Sequence, residues 1–305
     1  MEKIILDCDP GIDDAMAIAY ALHSPEVELT AITTCFGNAH TDVTTKNALD
    51  LLALFDASHV PVYEGLNQTI DGQLPREGAP WIHGHNGIGE VTIPTSQKKA
   101  ENESAHDFLS RITKEHPGEL TLVPVGSLSN VARAIKADPE FVKNVKEIVV
   151  MGGAVRHPGN ITPLAEANIH ADPKAANIVF QSGANIRLVG LDVTMKTLLP
   201  QDKCDEWRSR NQPSATSMAD IVTFYINAYK ENNPGIIGCS LHDPLAIGTV
   251  IDPSFVQTVP MKVTVGEAGE SYGQTVGEED EASSVHVCLH VDSERFVAHF
   301  LSRVV

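Results

Sequence analysis

Asp7-Cys8-Asp9-Pro10-Gly11-Ile12-Asp13-Asp14 places four carboxylates in eight residues, between the apolar run Ile4-Ile5-Leu6 and a stretch with Ile12, Ala15, Met16, Ala19 and Leu22 at helical spacing. A short apolar strand, a turn and a 3.6-residue period mark the start of a βα unit. Four like charges at that junction need either solvent or a counter-ion. Asp7 and Asp9 share a strand face at i, i+2, and Asp13 and Asp14 fall in the first helical turn, where the dipole favours anions. One reading makes Asp13 a helix cap and leaves the others solvated. The other is a hard-cation site, because converging oxygens are what Ca²⁺ or Mg²⁺ requires. Open α/β sheets place ligands at the carboxyl end of their strands, which favours the second reading.

The same alternation continues along the chain. Strands are predicted at residues 29–34, 120–125, 147–151, 185–189, 261–265 and 284–290. Helices are predicted at residues 41–55, after Ser127, after Pro173, across Tyr225 and Tyr229, and from Ser293. This predicts an α/β fold: a single large Rossmann-like domain over residues 1–305, its mostly parallel central sheet flanked by helices. Residues 64–101 are rich in Gly, Pro and polar groups, a length of irregular chain that marks a functional loop. Residues 231–240 form a second irregular stretch.

Charge and cysteine usage narrow the partners. Forty acidic against 22 basic residues give a formal charge of −18, which repels a nucleic acid polymer. The five cysteines, Cys8, Cys35, Cys204, Cys239 and Cys288, are odd in number and lack any C-x-x-C pair. They read as reduced thiols, and with no signal-peptide core or membrane-spanning run they predict a cytoplasmic protein with no membrane partner. Only Gly11 stands in the first turn, and neither G-x-G-x-x-G nor a Walker Lys follows, which disfavours a Rossmann cofactor. A D-x-D pair after a first strand also occurs in haloacid dehalogenase phosphatases, but the continuation Pro-Gly-Ile-Asp-Asp does not suit them.

The segment Asp7 to Ala15 closely resembles the N-terminal signature of the inosine-uridine preferring nucleoside hydrolases. Later blocks follow in the same order: Thr33 to Asn38, Val125 to Asn130, Met151-Gly152-Gly153, Gly159 to Pro163, Glu166-Ala167-Asn168 and His242 to Ala246. The resemblance spans residue 4 to about residue 250. It implies a Ca²⁺ ion at the bottom of a ribose pocket, held by Asp9, Asp14, Asp243 and the carbonyl of Val125. It also implies ribose contacts from Asp13, Asn38, Asn160, Glu166 and Asn168. The implied reaction is hydrolysis of the N-glycosidic bond through an oxocarbenium-like centre, with Asp9 as base toward a metal-activated water and His242 as the acid for the leaving base.

Further members of the pocket follow from the same resemblance and from helical spacing. His83 is expected to contact the base, and His85 shares its loop. Tyr225 and Tyr229, one turn apart, are expected to close over the base, and Met151 to line it. Three departures stand out: Ala167 where many relatives have Phe, Ser127 and Ser129 in place of Pro and Thr, and Asn86 where an acidic residue is frequent. The expected partner is a small ribonucleoside, purine or pyrimidine, and the resemblance implies a homotetramer or dimer acting in nucleoside salvage. The competing classes are a metal-dependent phosphatase with an essential Asp7 and a non-catalytic, calcium-linked nucleoside or ribose binder.

Overall fold

The computed structural model describes residues 1–232 and 235–305, and Asn233 and Pro234 of the second irregular stretch lie outside them. The chain contributes strands β1 (Glu2–Cys8), β2 (Val27–Thr34), β3 (Val62–Glu64), β4 (Leu120–Pro124), β5 (Glu147–Met151) and β6 (Ile186–Val189). These are followed by β7 (Leu198–Pro200), β8 (Gly238–Ser240), β9 (Val256–Val265), β10 (Thr275–Glu279) and β11 (Val285–Val291). Nine of them form one sheet in the order β10-β9-β11-β6-β5-β4-β1-β2-β3, and β7 pairs with β8 in a separate ribbon. Every neighbour from β3 through to β11 is parallel. Only β9 runs antiparallel to its neighbours β11 and β10.

The central strands are apolar on both faces because helices cover both. Ile4, Leu6 and Cys8 point into one core with Ile32, Val123 and Val149, whereas Ile5 joins Leu122, Ile148 and Leu188 in the other. That period-2 division explains the near-continuous apolar runs seen in the sequence. The order 3-2-1-4-5-6 reverses direction between β1 and β4, so a crevice opens beyond their carboxyl ends. Beyond β1 stand Asp9 to Asp14, and beyond β4 stands Val125, whose N–H donates to the Asp7 carbonyl at 2.8 Å.

Several boundaries differ from the sequence reading. β9 begins at Val256, five residues before the predicted start, and β10 was not predicted. Both carry exposed polar residues that dilute their apolar signal. The helix Pro213–Asn232 runs into the second irregular stretch, and β8 ends it. The helix Ala105–Glu115 was also unanticipated, although Ser104 caps it by accepting from the Asp107 N–H and Phe108 and Leu109 bury its inner face. Residues 64–101 are irregular apart from β3 and the short helix Pro80–His83. All five cysteines are buried and none is in a disulfide. No helix among the described residues is long and apolar enough to cross a membrane.

Asp7 is the polar rivet of the sheet. It is fully buried, and its Oδ1 accepts from Thr33 Oγ1 at 2.6 Å and from Asn130 Nδ2 at 2.8 Å. Asn130 also donates to the Thr34 carbonyl at 2.9 Å, so one amide ties β1, β2 and the helix Ser129–Ala137. Replacing Asn130 by Ala takes one donor from each acceptor, leaving Thr33 on Asp7 and the Gly65 N–H on the Thr34 carbonyl, and the expected loss of stability is about 1–3 kcal/mol. Chemical denaturation checks it, and an unchanged midpoint would overturn the role.

Candidate active site

The switch-point crevice is a cavity of about 470 Å³ whose lining includes Asp13, Asn38, Val125, Met151, Glu166 and Asp243. Among the described residues no Lys or Arg lines it. Asp13 and Asp14 enter from the first turn of the helix Ile12–Leu22, and Asp243 from the first turn of the helix His242–Ile251. Carboxylate oxygens of Asp13, Asp14 and Asp243 all lie within 4.8 Å of one another, and all three residues are buried. The cap of the first helix is not Asp13, as the bland reading had it. Gly11 occupies that position, and Asp14 reaches back to accept from the N–H groups of Gly11 at 2.9 Å and Asp9 at 3.1 Å.

Asp9 sits just outside this trio. Its Oδ2 accepts from the Asn38 N–H at 2.6 Å, while its Oδ1 is buried without a partner. A Cβ on Gly37 or on Gly126 would collide with this carboxylate, so two glycines allow the backbone to clamp it next to Val125. Burial acts on all four groups, and repulsion from neighbouring carboxylates adds to it at Asp9, Asp13 and Asp243. Asp13 is pushed up to about 8 by desolvation and by Asp14, and Asp14 to about 6 by desolvation. Asp9 and Asp243 are also raised well above the usual carboxylate range, by burial first and the neighbouring carboxylates next. Such a set fits a hard cation: the donors are oxygens only, Asp9 Oδ1 and Asp13 Oδ1 are buried and unsatisfied, and no side-chain cation neutralises them.

The asparagines and Glu166 hold the rim. Asn38 Nδ2 donates to Asp14 Oδ2 at 3.1 Å and to the Asp9 carbonyl at 3.2 Å. Asn168 Nδ2 donates to the Val125 carbonyl at 2.8 Å and touches the carbonyl and Sδ of Met151 at 3.3 Å. Glu166 caps the helix Ala167–Ala171 and also accepts from the Gly153 N–H at 2.9 Å. Asn160 Oδ1 accepts from the Ala167 N–H at 2.9 Å.

The opposite wall is aromatic and protic. Tyr229 Oη lies 2.7 Å from His242 Nε2, and His242 Nδ1 lies 2.7 Å from Thr194 Oγ1. Tyr225 packs edge-on against Tyr229 at 4.9 Å and donates a long hydrogen bond of 3.4 Å to Asp13 Oδ2. Burial drives His242 down to about 4, so its imidazole is neutral at pH 7. His83 accepts at Nδ1 from the Ile12 N–H at 3.1 Å, which makes it a neutral Nε2–H tautomer, and burial pushes it down to about 3. Its ring leans on Tyr225 at 5.5 Å.

Two other readings are resolved by position. Asp7 lines neither this cavity nor the one beside it, which removes the residue a D-x-D phosphatase would use as nucleophile. His85 pairs with Glu90 at 3.1 Å and is largely exposed outside the cavity. Asn86 is a loop organiser, accepting from the Ile88 and Glu90 N–H groups. Sequence reasoning missed Thr194, the partner of His242. It also missed Asp192, which accepts from the Val155 and Arg156 N–H groups at 2.9 and 2.6 Å and so anchors the loop that leads to Asn160. Both follow β6 in Leu191-Asp192-Val193-Thr194, a polar pair at a strand's carboxyl end that carried a readable signal.

Comparisons with known proteins agree with this geometry. Residues 4–298 match the family described as inosine-uridine preferring nucleoside hydrolase, beyond the motif blocks that stop near residue 250. The chain is 40% identical over 275 residues to uridine nucleosidase 1 of Arabidopsis thaliana, covering 90% of this chain and 81% of that protein. It is 37% identical over 302 residues to the pyrimidine-specific ribonucleoside hydrolase RihA of Salmonella arizonae, covering 96% and 95%. The structure superposes with a TM-score of 0.96 on a purine-preferring ribonucleoside hydrolase from Gardnerella vaginalis, 41% identical, covering 99% and 98% of the two chains. With buried carboxylates at the switch point and whole-length likeness to enzymes of this kind, the chain belongs to the inosine-uridine preferring nucleoside hydrolases, which are N-glycosyl hydrolases of ribonucleosides.

Proposed function

We propose that the chain uses Ca²⁺ to hydrolyse ribonucleosides to ribose and free base, with the sugar seated on the carboxylates and the base against the Tyr225, Tyr229 and His242 wall. The carrying observation is the convergence of Asp13, Asp14 and Asp243 without a neutralising side chain. Asp9, Asp14, Asp243 and the Val125 carbonyl would hold the cation, with Asp13 close enough to share that role. A cation held there would supply the positive charge that the carboxylates need and would make a nearby water more acidic. A relative named for uridine, one for pyrimidines and one for purines give no common base preference. Both classes of base are therefore included as substrates.

The protein's own groups divide the work between two poles. As the C1′–N bond lengthens, positive charge grows on the ribosyl ring, and the buried carboxylates face that charge in a low-dielectric site. Asp9, whose carboxylate would stand beside the cation, takes the proton of the attacking water. Asn38, Asn160, Glu166 and Asn168 fix the hydroxyls, so the anomeric carbon is held for in-line attack. At the other pole the leaving base gains electron density and needs a proton. A neutral His242 with Tyr229 on Nε2 and Thr194 on Nδ1 makes Tyr229 the hydroxyl presented to the base and His242 the group behind it. Met151 and His83 complete the pocket, His83 by fixing the Tyr225 ring.

Three measurements check this reading. Ribose release from uridine, cytidine, inosine and adenosine is expected to stop with a chelator and return with Ca²⁺. Release by chelated protein would overturn the metal requirement, and tight binding without release would favour the non-catalytic binder. Replacing His242 by Ala is expected to lower kcat on inosine by about 10²–10⁴-fold. A p-nitrophenyl riboside, whose leaving group needs no proton, should lose far less, and equal losses on both would exclude His242 from leaving-group protonation.

The third measurement follows from the raised carboxylates. Asp13 and Asp14 titrate near 8 and 6 in the folded chain against 3.8 as free carboxyls. With Asp9 and Asp243, raised as well, the folded state binds more protons at four carboxylates between pH 4 and 8 than it forgoes at neutral His83 and His242, and stability falls as pH rises. Chelated protein is expected to lose Tm from pH 5 to pH 8, and saturating Ca²⁺, which takes the place of those protons, to flatten the profile. A flat profile in chelator, or no rise in Tm with Ca²⁺ at pH 8, would count against the carboxylate cation site.

A further inference from the structure

A second cavity, of about 500 Å³, adjoins the first. The two share Asn38, Ala79, Trp81, Ile161, Ala167 and Asn168 as common walls. None of Leu191, Met195, Tyr225, Tyr229 or His242 reaches the second cavity, so it opens from the end of the site opposite the aromatic wall. In a ribonucleoside, the base on C1′ and the exocyclic C5′ carbon on C4′ flank the ring oxygen, while the 2′ and 3′ hydroxyls occupy the other edge. With that diol on the carboxylates and the base against Tyr225 and Tyr229, C5′ is directed toward the shared wall. Ala167 contributes only a methyl group there.

The chemistry of the second cavity decides what it can take. Asp9, Asp71, Glu77, Asp172 and Glu267 outnumber Arg76 and Lys174 among its lining groups. Lys174 is engaged by Asp71 at 2.7 Å. Asp172 is occupied by the Ile70 N–H and Ser129 Oγ, both at 2.6 Å, and by the Ala175 N–H at 3.1 Å. Arg76 faces His170 Nε2 at 3.5 Å. A phosphate would thus meet excess negative charge with its nearest lysine already paired. Apolar surface is what stands ready: Leu74 is 83% exposed, Trp81 60% and Ile161 40%, and all three line this cavity with Phe36 and Tyr272. Large apolar side chains left open around one cavity mark surface suited to covering by a ligand.

We infer that the second cavity is a subsite for an uncharged, apolar substituent on the 5′ carbon, and that 5′-alkylthio ribonucleosides are substrates beside the parent nucleosides. The inference rests on the placement of ribose and base given above. The reaction is unchanged in its balance: one water adds across the C1′–N bond, its oxygen to C1′ and a proton to the base. The products are the free base and a 5-alkylthioribose, with the C5′–S bond untouched.

The test compares uridine, 5′-deoxy-5′-methylthiouridine and uridine 5′-monophosphate on the Ca²⁺-loaded full chain. The methylthio compound is expected within about tenfold of uridine in kcat/KM, and the monophosphate at least about 10²-fold below it. Ala171 and Leu74 line only the second cavity. Ala171→Phe, which fills it, and Leu74→Ser, on the exposed loop, are expected to leave uridine turnover unchanged and raise KM for the methylthio compound by about three- to tenfold. Leu74→Ser carries the test by itself if Ala171→Phe does not fold. Normal uridine turnover with methylthiouridine below about one hundredth of it would overturn the subsite while leaving the proposed function intact. Preference for the monophosphate, or equal effects of Leu74→Ser on both nucleosides, would overturn it as well. Absence of turnover on every nucleoside would remove the proposed function and this inference together.

Discussion

Repulsion among buried carboxylates is the constraint around which this molecule is arranged. Asp9, Asp13, Asp14 and Asp243 come from the end of β1, one helical turn and a second helix more than 200 residues later; burial raises all four, and neighbouring carboxylates raise Asp9, Asp13 and Asp243 further. A protein interior tolerates such a cluster only if protons or a cation neutralise it. The backbone lowers part of the cost: Asp14 accepts from two N–H groups at the start of its helix, and Asp9 from Asn38. What the backbone leaves unsatisfied, Asp9 Oδ1 and Asp13 Oδ1, is the demand a bound cation would meet. The fold's contribution is the switch point itself, where β1 and β4 part and deliver these groups into one crevice.

The same geometry separates charge from proton transfer. On the sugar side every titratable group is acidic, which suits a reacting centre that becomes positive. On the base side Tyr225, Tyr229, His242 and His83 are held neutral by burial, which suits a leaving group that must be given a proton without an ion already present. Tyr229, His242 and Thr194 form one hydrogen-bonded line across three elements of the chain. Tyr225, packed edge-on against Tyr229, links that line to the carboxylates through its long contact with Asp13. Burial favours the neutral form on both sides: it raises the carboxylates, which then call for protons or a cation, and it keeps the tyrosines and histidines uncharged.

Much of this was legible in the sequence, for physical reasons that differ from element to element. β1, β2 and β4 to β6 lie mostly buried between helix layers and so announce themselves as short runs rich in apolar and β-branched residues, despite Glu28 in β2 and Arg187 in β6. β10, with Val276 and two glutamates exposed at the sheet edge, carries no such signal. Of the site, the residues adjacent to strand ends were readable because order along the chain and chemistry coincide there. The division of labour was not: Gly11 is the helix cap, with Asp14 rather than Asp13 reaching back to it, and Asp13, rather than Asp9, completes the tight trio. Strand-face parity cannot place Asp9, since β1 ends at Cys8 and the next side chain follows the turn. His83 likewise depends on a contact across 71 residues, with Ile12, that no local pattern encodes.

Net charge and site charge also answer different questions. The excess of 18 negative charges keeps polyanions away from the surface as a whole, whereas selection within the crevice is set by a few buried groups whose fields are little screened. A nucleoside enters as a neutral molecule and crosses both fields without penalty. A nucleotide would carry its phosphate past Asp9 and Asn38 toward a cavity whose carboxylates outnumber its cations. Discrimination between the two therefore does not require a clash. In the proposed reading it follows from the excess of carboxylates over side-chain cations around the two cavities, so the charge that favours a cationic sugar also disfavours a phosphate.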